Sequence, residues 1–307
     1  MSKILQINKL SSMYILTADI GGSHITAGIC DLQNYGIVNH SVIRADVNSK
    51  GSITDILTSW TDLFQEVLKK NAALQVSGLS VAMPGPFDYE NGISYITGLN
   101  KYESLYGMDI KQYFADLLKL DPQFVRFRND AESTIAGEVL AGAGKDERCV
   151  MGITLGTGFG SAYSENKITK DINLGSDPYK ETIADDYFST RWFLKRYKEL
   201  TGVSLTGGVM QLSELAEKNV VARDIFKEFA LNVSDFLSGP VEQLAPEALI
   251  ICGNIARASK FFLSYLTGAL NSITLKLAQL DENAPLIGAA AMFDHIPGPA
   301  SIDPINQ

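Results

Sequence analysis

Asp19 closes the apolar run Ile15-Leu16-Thr17-Ala18 and is followed at once by Ile20-Gly21-Gly22-Ser23-His24. A carboxylate beside paired glycines has a chemical use. Glycines let backbone amides approach a ligand with no Cβ in the way, and successive amides in such a turn form an anion-binding nest. The adjacent carboxylate suits a water-bridged Mg²⁺, which takes oxygen ligands and keeps much of its hydration shell. The same residues also make an ordinary tight β-hairpin, and this stretch alone does not separate the two readings. A second stretch does. Met151-Gly-Ile-Thr-Leu-Gly156-Thr157-Gly158-Phe-Gly-Ser-Ala-Tyr163 repeats the layout of apolar strand, glycine-rich turn with a hydroxyl residue, and strand. Aligned without a gap, Ile20 falls on Leu155, Gly21 on Gly156 and Ala27 on Ala162. Internal repetition of this kind takes precedence over other features. It predicts two similar domains, each with a phosphate-loop hairpin, facing one nucleotide.

A third chemical element is Asn129-Asp130, at the end of the short apolar stretch Phe124-Val-Arg-Phe-Arg128 and just before a helical pattern. Both residue types are favoured helix N-caps. Beside two phosphate loops, however, Asp130 becomes the candidate base acting on a substrate hydroxyl. Pro84-Gly85-Pro86 follows another apolar strand and forms a rigid corner that frees Gly85 for close approach. It is either a plain turn or a ligand-facing corner, since ligands gather at the carboxyl ends of strands in α/β sheets.

These groups need a scaffold. Strands are expected over residues 13–20, 24–31 and 36–43, with a turn at Gln33-Asn-Tyr-Gly36, and a helix over 53–68 with Ser52 as its N-cap. A strand over 76–83 leads into the proline corner, and helices are expected over 110–118 and 133–143. Residues 171–178 form a polar loop. Helices follow over 181–200, 211–217 and 220–244. A buried strand at 249–251 runs into Cys252-Gly253-Asn254, and helices over 256–266 and 286–293 complete the pattern. The predicted domains are 14–125 and 126–296, the last helix packing back on the first, with a frayed tail from Pro297.

The 307 residues suffice for two cores, and 46% hydrophobic with 20% charged residues is ordinary globular composition. A net charge of −9 argues against a nucleic-acid surface. No apolar run is long enough to span a bilayer, and residues 1–13 lack a signal-peptide core, so a cytoplasmic location and no membrane partner are expected. Cys30, Cys149 and Cys252 are scattered and read as small core residues. With three histidines, His24, His40 and His295, no clustered zinc site or Ser-His-Asp triad is expected.

Five landmarks stand in fixed order: Asp19-Ile-Gly-Gly-Ser23, Pro84-Gly85-Pro86, Asn129-Asp130-Ala131, Leu155-Gly-Thr-Gly-Phe-Gly160 and Leu286-Ile-Gly-Ala-Ala-Ala291. Together they resemble the ROK family of repressors, uncharacterised reading frames and sugar kinases, within the actin-like ATPase superfamily, over residues 14–293. The resemblance implies an α/β protein of two actin-like (ribonuclease H-like) domains with ATP and a sugar in the cleft. It implies that Gly21, Gly22, Ser23 and His24 lie at the transferred phosphate and that Asp19 holds Mg²⁺ through water. Gly156, Thr157 and Gly158 would cradle the inner phosphates, and Gly253 with Asn254 would border the adenosine. Gly85 and Asn129 would line the sugar, and Asp130 would take the hydroxyl proton. A homodimer is a further implication of the family.

The departures are specific. The family's usual Glu-x-Gly-His is here Asn173-Leu174-Gly175-Ser176, and its three-cysteine zinc element is absent. Asp185 takes the place of a Glu that closes over the sugar, and His24 replaces the commoner Lys. These changes leave glucose, mannose, fructose and N-acetyl sugars all open, because specificity rests on buried hydrogen-bond partners. Two functions compete: an ATP-dependent hexose kinase, and a sugar-binding regulatory protein with weakened turnover, favoured by Asn173 and Ser176. About a dozen residues precede the first hairpin, too few for a helix-turn-helix, which argues against a DNA-binding repressor. A dinucleotide-binding reading of Gly156-x-Gly158 fails because Ser161 holds the third glycine position and a strand follows.

Overall fold

The computed structural model describes residues 13–294. Its contacts divide the chain into two units, one running to Phe127 and resuming at Ala290, the other spanning Arg128–Ala289. The amino-terminal residues before Met13, the tail from Pro297 and His295 lie outside the described residues.

The first unit opens with β1 (Tyr14–Ile20) and β2 (His24–Asp31), an antiparallel hairpin that sets Asp19 opposite Thr26 and Ile20 opposite Ile25. Both strands are apolar almost throughout because both faces of the sheet are covered. Two short strands, β3 (Gly36–Ile37) and β4 (Ile43–Asp46), each pair with β2. The helix α1 (Ile53–Lys70) starts in a capping box. Ser52 Oγ accepts from the Asp55 amide at 3.2 Å, and the Asp55 carboxylate accepts from the Ser52 amide at 3.1 Å. Its buried face includes Trp60 and Phe64, each contributing on the order of 1.5–3 kcal/mol through burial. Next come β5 (Val76–Met83), parallel to β1, the ribbon β6 (Phe87–Asp88) and β7 (Ile93–Ser94), α2 (Ile110–Leu118) capped by Asp109, and β8 (Val125–Asn129). The sheet order is β3-β2-β1-β5-β8.

The second unit opens with α3 (Asp130–Ala141), then the hairpin β9 (Cys149–Leu155) and β10 (Phe159–Glu165), and β11 (Ile168–Asp171). A small ribbon, β12 (Pro178–Tyr179) with β13 (Thr182–Ile183), precedes the single turn α4 (Ala184–Tyr187). Three helices follow: α5 (Thr190–Thr201), α6 (Gly208–Ala216) and α7 (Val220–Leu244), the last running through Pro240. They cover one face of the sheet with an aromatic-rich core that includes Phe188, Phe193, Phe226 and Phe229. The strand β14 (Ala248–Cys252) lies parallel to β9, and beyond α8 (Leu263–Ala269) β15 (Thr274–Leu277) lies parallel to β14, before α9 (Asn283–Ala290). The order β11-β10-β9-β14-β15 repeats that of the first unit, strand for strand.

Several expectations are corrected. The gapless alignment slips after the turn. Gly21 and His24 are bonded across two residues, whereas Gly156 and Gly158 are bonded across one. Ala162 therefore stands opposite Gly152, the position held by Gly28 opposite Thr17, and not that of Ala27. The strand over 36–43 breaks where His40 turns left-handed (φ 61°) and Ser41 Oγ accepts the Ile29 amide at 3.0 Å in place of a ladder partner. The helix over 181–200 is interrupted at Phe188-Ser189, because the amide of Thr190 is spent on the second hairpin turn. The segment after Gly253 is a 3₁₀ helix, Asn254–Phe261, before α8, and the closing helix begins earlier, at Asn283. All three cysteines are free and buried, and burial pushes the Cys30 thiol up to about 12. Among the described residues no helix is long and apolar enough to cross a membrane.

Candidate active site

In the first unit, the turn after β1 is held from behind by its carbonyls. Gly21 O accepts from Tyr102 Oη at 2.5 Å, Gly22 O from Ser49 Oγ at 2.5 Å, and Ser23 O from the Val47 amide at 2.9 Å. A trans peptide is planar, so each carbonyl turned one way sends the next residue's N–H the other way. The amides of Gly22 and Ser23 are thereby directed away from Tyr102 and Ser49 respectively. Asp19 is half-buried two residues before Gly21. The His24 ring lies against Gly21, its Cε1 3.0 Å from where a Cβ would stand.

The second turn, in the second unit, is built the same way. Gly156 O accepts from the Thr190 amide at 2.8 Å and from Thr190 Oγ1 at 3.0 Å, and Thr157 O from Arg191 at 3.4 Å. This directs the Thr157 and Gly158 amides outward. Asp185 completes the brace: its Oδ1 accepts from the Phe159 amide at 2.6 Å, and its Oδ2 pairs with Arg191 at 2.5 Å.

The glycines divide by what they are for. Gly22 and Gly156 have no positive φ, and a Cβ would find only the Lys101 stem 3.8 Å from Gly22 and open space at Gly156. Internal packing does not demand glycine at either position. Gly253 is different: at φ 89° its Cβ would sit 2.3 Å from Leu155 O, so the backbone itself requires glycine there. Gly253 and Asn254 are exposed just past the carboxyl end of β14. Gly85 precedes a cis proline peptide in the first unit, where a Cβ would meet Tyr89 Oη at 3.2 Å.

Three segments of the second unit converge on Phe159-Gly160, directly after its turn. Ala131 packs over Gly160, where a Cβ would stand 2.3 Å from the Ala131 methyl; Gly175 packs on Phe159 O; and Asp185 holds the Phe159 amide. The start of α3 with Asn129 and Asp130, the 3₁₀ turn Leu174–Ser176 with Asn173, and α4 are thus gathered at one strand end. Asn129 is the N-cap of α3, its Oδ1 accepting from the Glu132 amide at 3.1 Å. Asp130 is the first helical residue, with Oδ1 accepting from the Ala131 amide at 2.8 Å. Asn173, in left-handed backbone at φ 46°, accepts through Oδ1 from Ser176 Oγ at 3.1 Å.

Beside them lies an acidic cluster that the motifs did not single out. Glu132 pairs with Arg128 at 3.1 Å, and Asp171 Oδ1 accepts from the Asn173 amide at 2.7 Å. Burial raises the Glu132 carboxyl above its ordinary range, with Arg128 opposing, and burial raises Asp171 likewise. Ser49, Tyr102, Thr190 and Arg191 were also missed; they sit in loops or at a helix start, where no periodic signal marks them. Among the described residues no group of three or more His, Cys, Asp or Glu could hold a metal. An oxygen donor such as Asp19, beside a nest for phosphate, nonetheless fits Mg²⁺, which is commonly held by one carboxylate plus substrate phosphates.

The ROK family model matches residues 15–170. The chain belongs to the ROK family. Among solved structures, it is similar to a ROK hexokinase from Thermus thermophilus, with TM-score 0.76 and 18% identity over 91% of this chain and 97% of that one. A ROK glucokinase from Streptomyces griseus, in complex with glucose and AMPPNP, matches with TM-score 0.73 and 20% identity over 91% and 98% of the two chains. A ROK transcriptional regulator, a homologue of the E. coli MLC protein, matches with TM-score 0.74 and 15% identity over 92% and 79%. At these identities the likeness is one of fold, extending over nine-tenths of this chain. Within that ROK frame the pair Asn173 and Ser176 is bonded to itself, and Asp185 braces a turn.

Proposed function

We propose that this ROK protein is an ATP-dependent kinase that phosphorylates a hydroxyl of a hexose or hexose derivative. The observation that carries the reading is the pair of glycine turns, each with its carbonyls tied back and its amides directed outward. The first turn, with Gly21, Gly22, Ser23 and His24, receives the transferred phosphoryl group, and Gly156, Thr157 and Gly158 receive the inner phosphates. Gly253 and Asn254 border the adenosine. Gly85, Asn129, Asn173, Ser176 and Asp185 are assigned to the sugar side, Asn129 and Asp185 chiefly by holding the backbone around it. Asp19 would hold Mg²⁺, which neutralises phosphate charge when bound.

Asp130 acts as the base. Its carboxylate takes the proton of the attacking hydroxyl, the oxygen bonds to the γ-phosphorus, and the bond to the β-phosphate oxygen breaks to release ADP. Positioning and charge neutralisation supply most of such a rate, with one carboxylate for the proton. The test is Asp130→Asn, assayed by coupled ADP release with Mg·ATP across a panel of monosaccharides. Turnover is expected to fall by ~10²–10⁴-fold with nucleotide affinity retained; undiminished turnover would remove Asp130 from this role.

A second reading is a sugar-binding regulator of the same fold. It is favoured by the hydrogen bond between Ser176 and Asn173, a neutral pair at the place where family kinases carry a Glu and a His. Sugar binding by calorimetry with no ADP release for any sugar in the panel would select it.

A further inference from the structure

Lys101 is fixed by the same bonds that fix the first turn. Its neighbours Asn100 and Tyr102 both adopt left-handed backbone at φ 55°. Tyr102 is tied twice, through Oη to Gly21 O at 2.5 Å and through its amide to Ser49 O at 2.6 Å, while Ser49 Oγ holds Gly22 O at 2.5 Å. Asn100 is held in turn, its amide donating to Glu103 Oε1 at 2.9 Å. Between these anchors the Lys101 stem runs across Gly22, with Cδ 3.8 Å from the position a Gly22 Cβ would take. The ammonium lies two bonds beyond that carbon, on a half-buried side chain.

From this geometry we infer that Lys101 binds the phosphoryl group held by the first turn, its ammonium capping the oxygens that the Gly22 and Ser23 amides receive from below. The inference rests on the kinase reading, in which this turn holds the terminal phosphate of a nucleoside triphosphate. Cations on a transferring phosphoryl group stabilise the charge spread over its oxygens. A lysine does so as a compact point charge on a flexible stem. Here the stem is pre-aimed by two bound neighbours, so less freedom is lost when the anion arrives.

The experiment is isothermal titration of the full chain and of Lys101→Met and Lys101→Arg with Mg·AMPPNP and with Mg·ADP. Losing a charge-assisted contact to the terminal phosphate is expected to weaken AMPPNP binding by about 10- to 100-fold in Lys101→Met. ADP lacks that phosphate, so its affinity should stay within about twofold by the same arithmetic, which also shows that the variant is folded. Lys101→Arg should recover most of the loss. Equal AMPPNP affinity in wild type and Lys101→Met overturns the role of Lys101 while leaving the kinase reading intact. Wild-type protein that fails to bind AMPPNP overturns both.

Discussion

Glu132 is the residue whose environment makes the clearest solution prediction. Burial holds its carboxyl above the ordinary value of 4.5, and the Arg128 guanidinium only partly offsets this. The native state therefore keeps this proton more firmly than the unfolded chain does. Its contribution to stability is complete below pH 4.5 and is lost as pH rises through the folded value. Asp171 behaves in the same sense from its ordinary 3.8. Replacing Glu132 by Gln should flatten the fall in stability just above pH 4.5, read as urea midpoints at a series of pH values; an unchanged slope would show that Glu132 does not titrate as described. At this scale the sequence was legible for Asn129, which caps a helix as its type suggested. It was not legible for the partners of Asp185: the Phe159 amide and Arg191 come from a turn 26 residues away and a helix start six residues on.

Among elements, α3 depends on α9. A Cβ at Gly288 would lie 1.8 Å from Ser133 O, and one at Gly137 would lie 2.0 Å from Ala284 O, so the helices cross with backbone against backbone. Gly288→Ala should lower stability to urea by about 1–3 kcal/mol through overpacking. Because α3 presents Asn129 and Asp130, activity should fall with it. A variant as stable as wild type would mean that the crossing can open without cost. Helices with an uninterrupted apolar face, α1 and α7, could be read directly from spacing. Periodicity failed over 181–200 because apolar residues keep the helical rhythm across Phe188-Ser189 while Thr190 turns its amide to Gly156. It also missed β15, a four-residue edge strand whose Thr-Leu-Lys-Leu alternation is too short to stand out and whose residues are only half-buried or exposed.

The whole molecule is a duplicated plan, and the glycine pattern alone revealed it. What the pattern could not reveal was the single-residue difference in turn length, since that is fixed by which backbone groups meet across each hairpin. If one triphosphate engages both turns, Mg·ATP should slow amide hydrogen exchange at residues 22–24 and at 157–159 together. Protection of one set alone would contradict the assignment of phosphates. The tied-back carbonyls carry a last consequence. Both turns are already shaped before any anion arrives, by Ser49 and Tyr102 in one unit and by Thr190 and Arg191 in the other. Genetic screens for lost activity should therefore recover hits at these four positions, and capture of nucleotide should proceed at encounter-limited speed without a slow rearrangement phase.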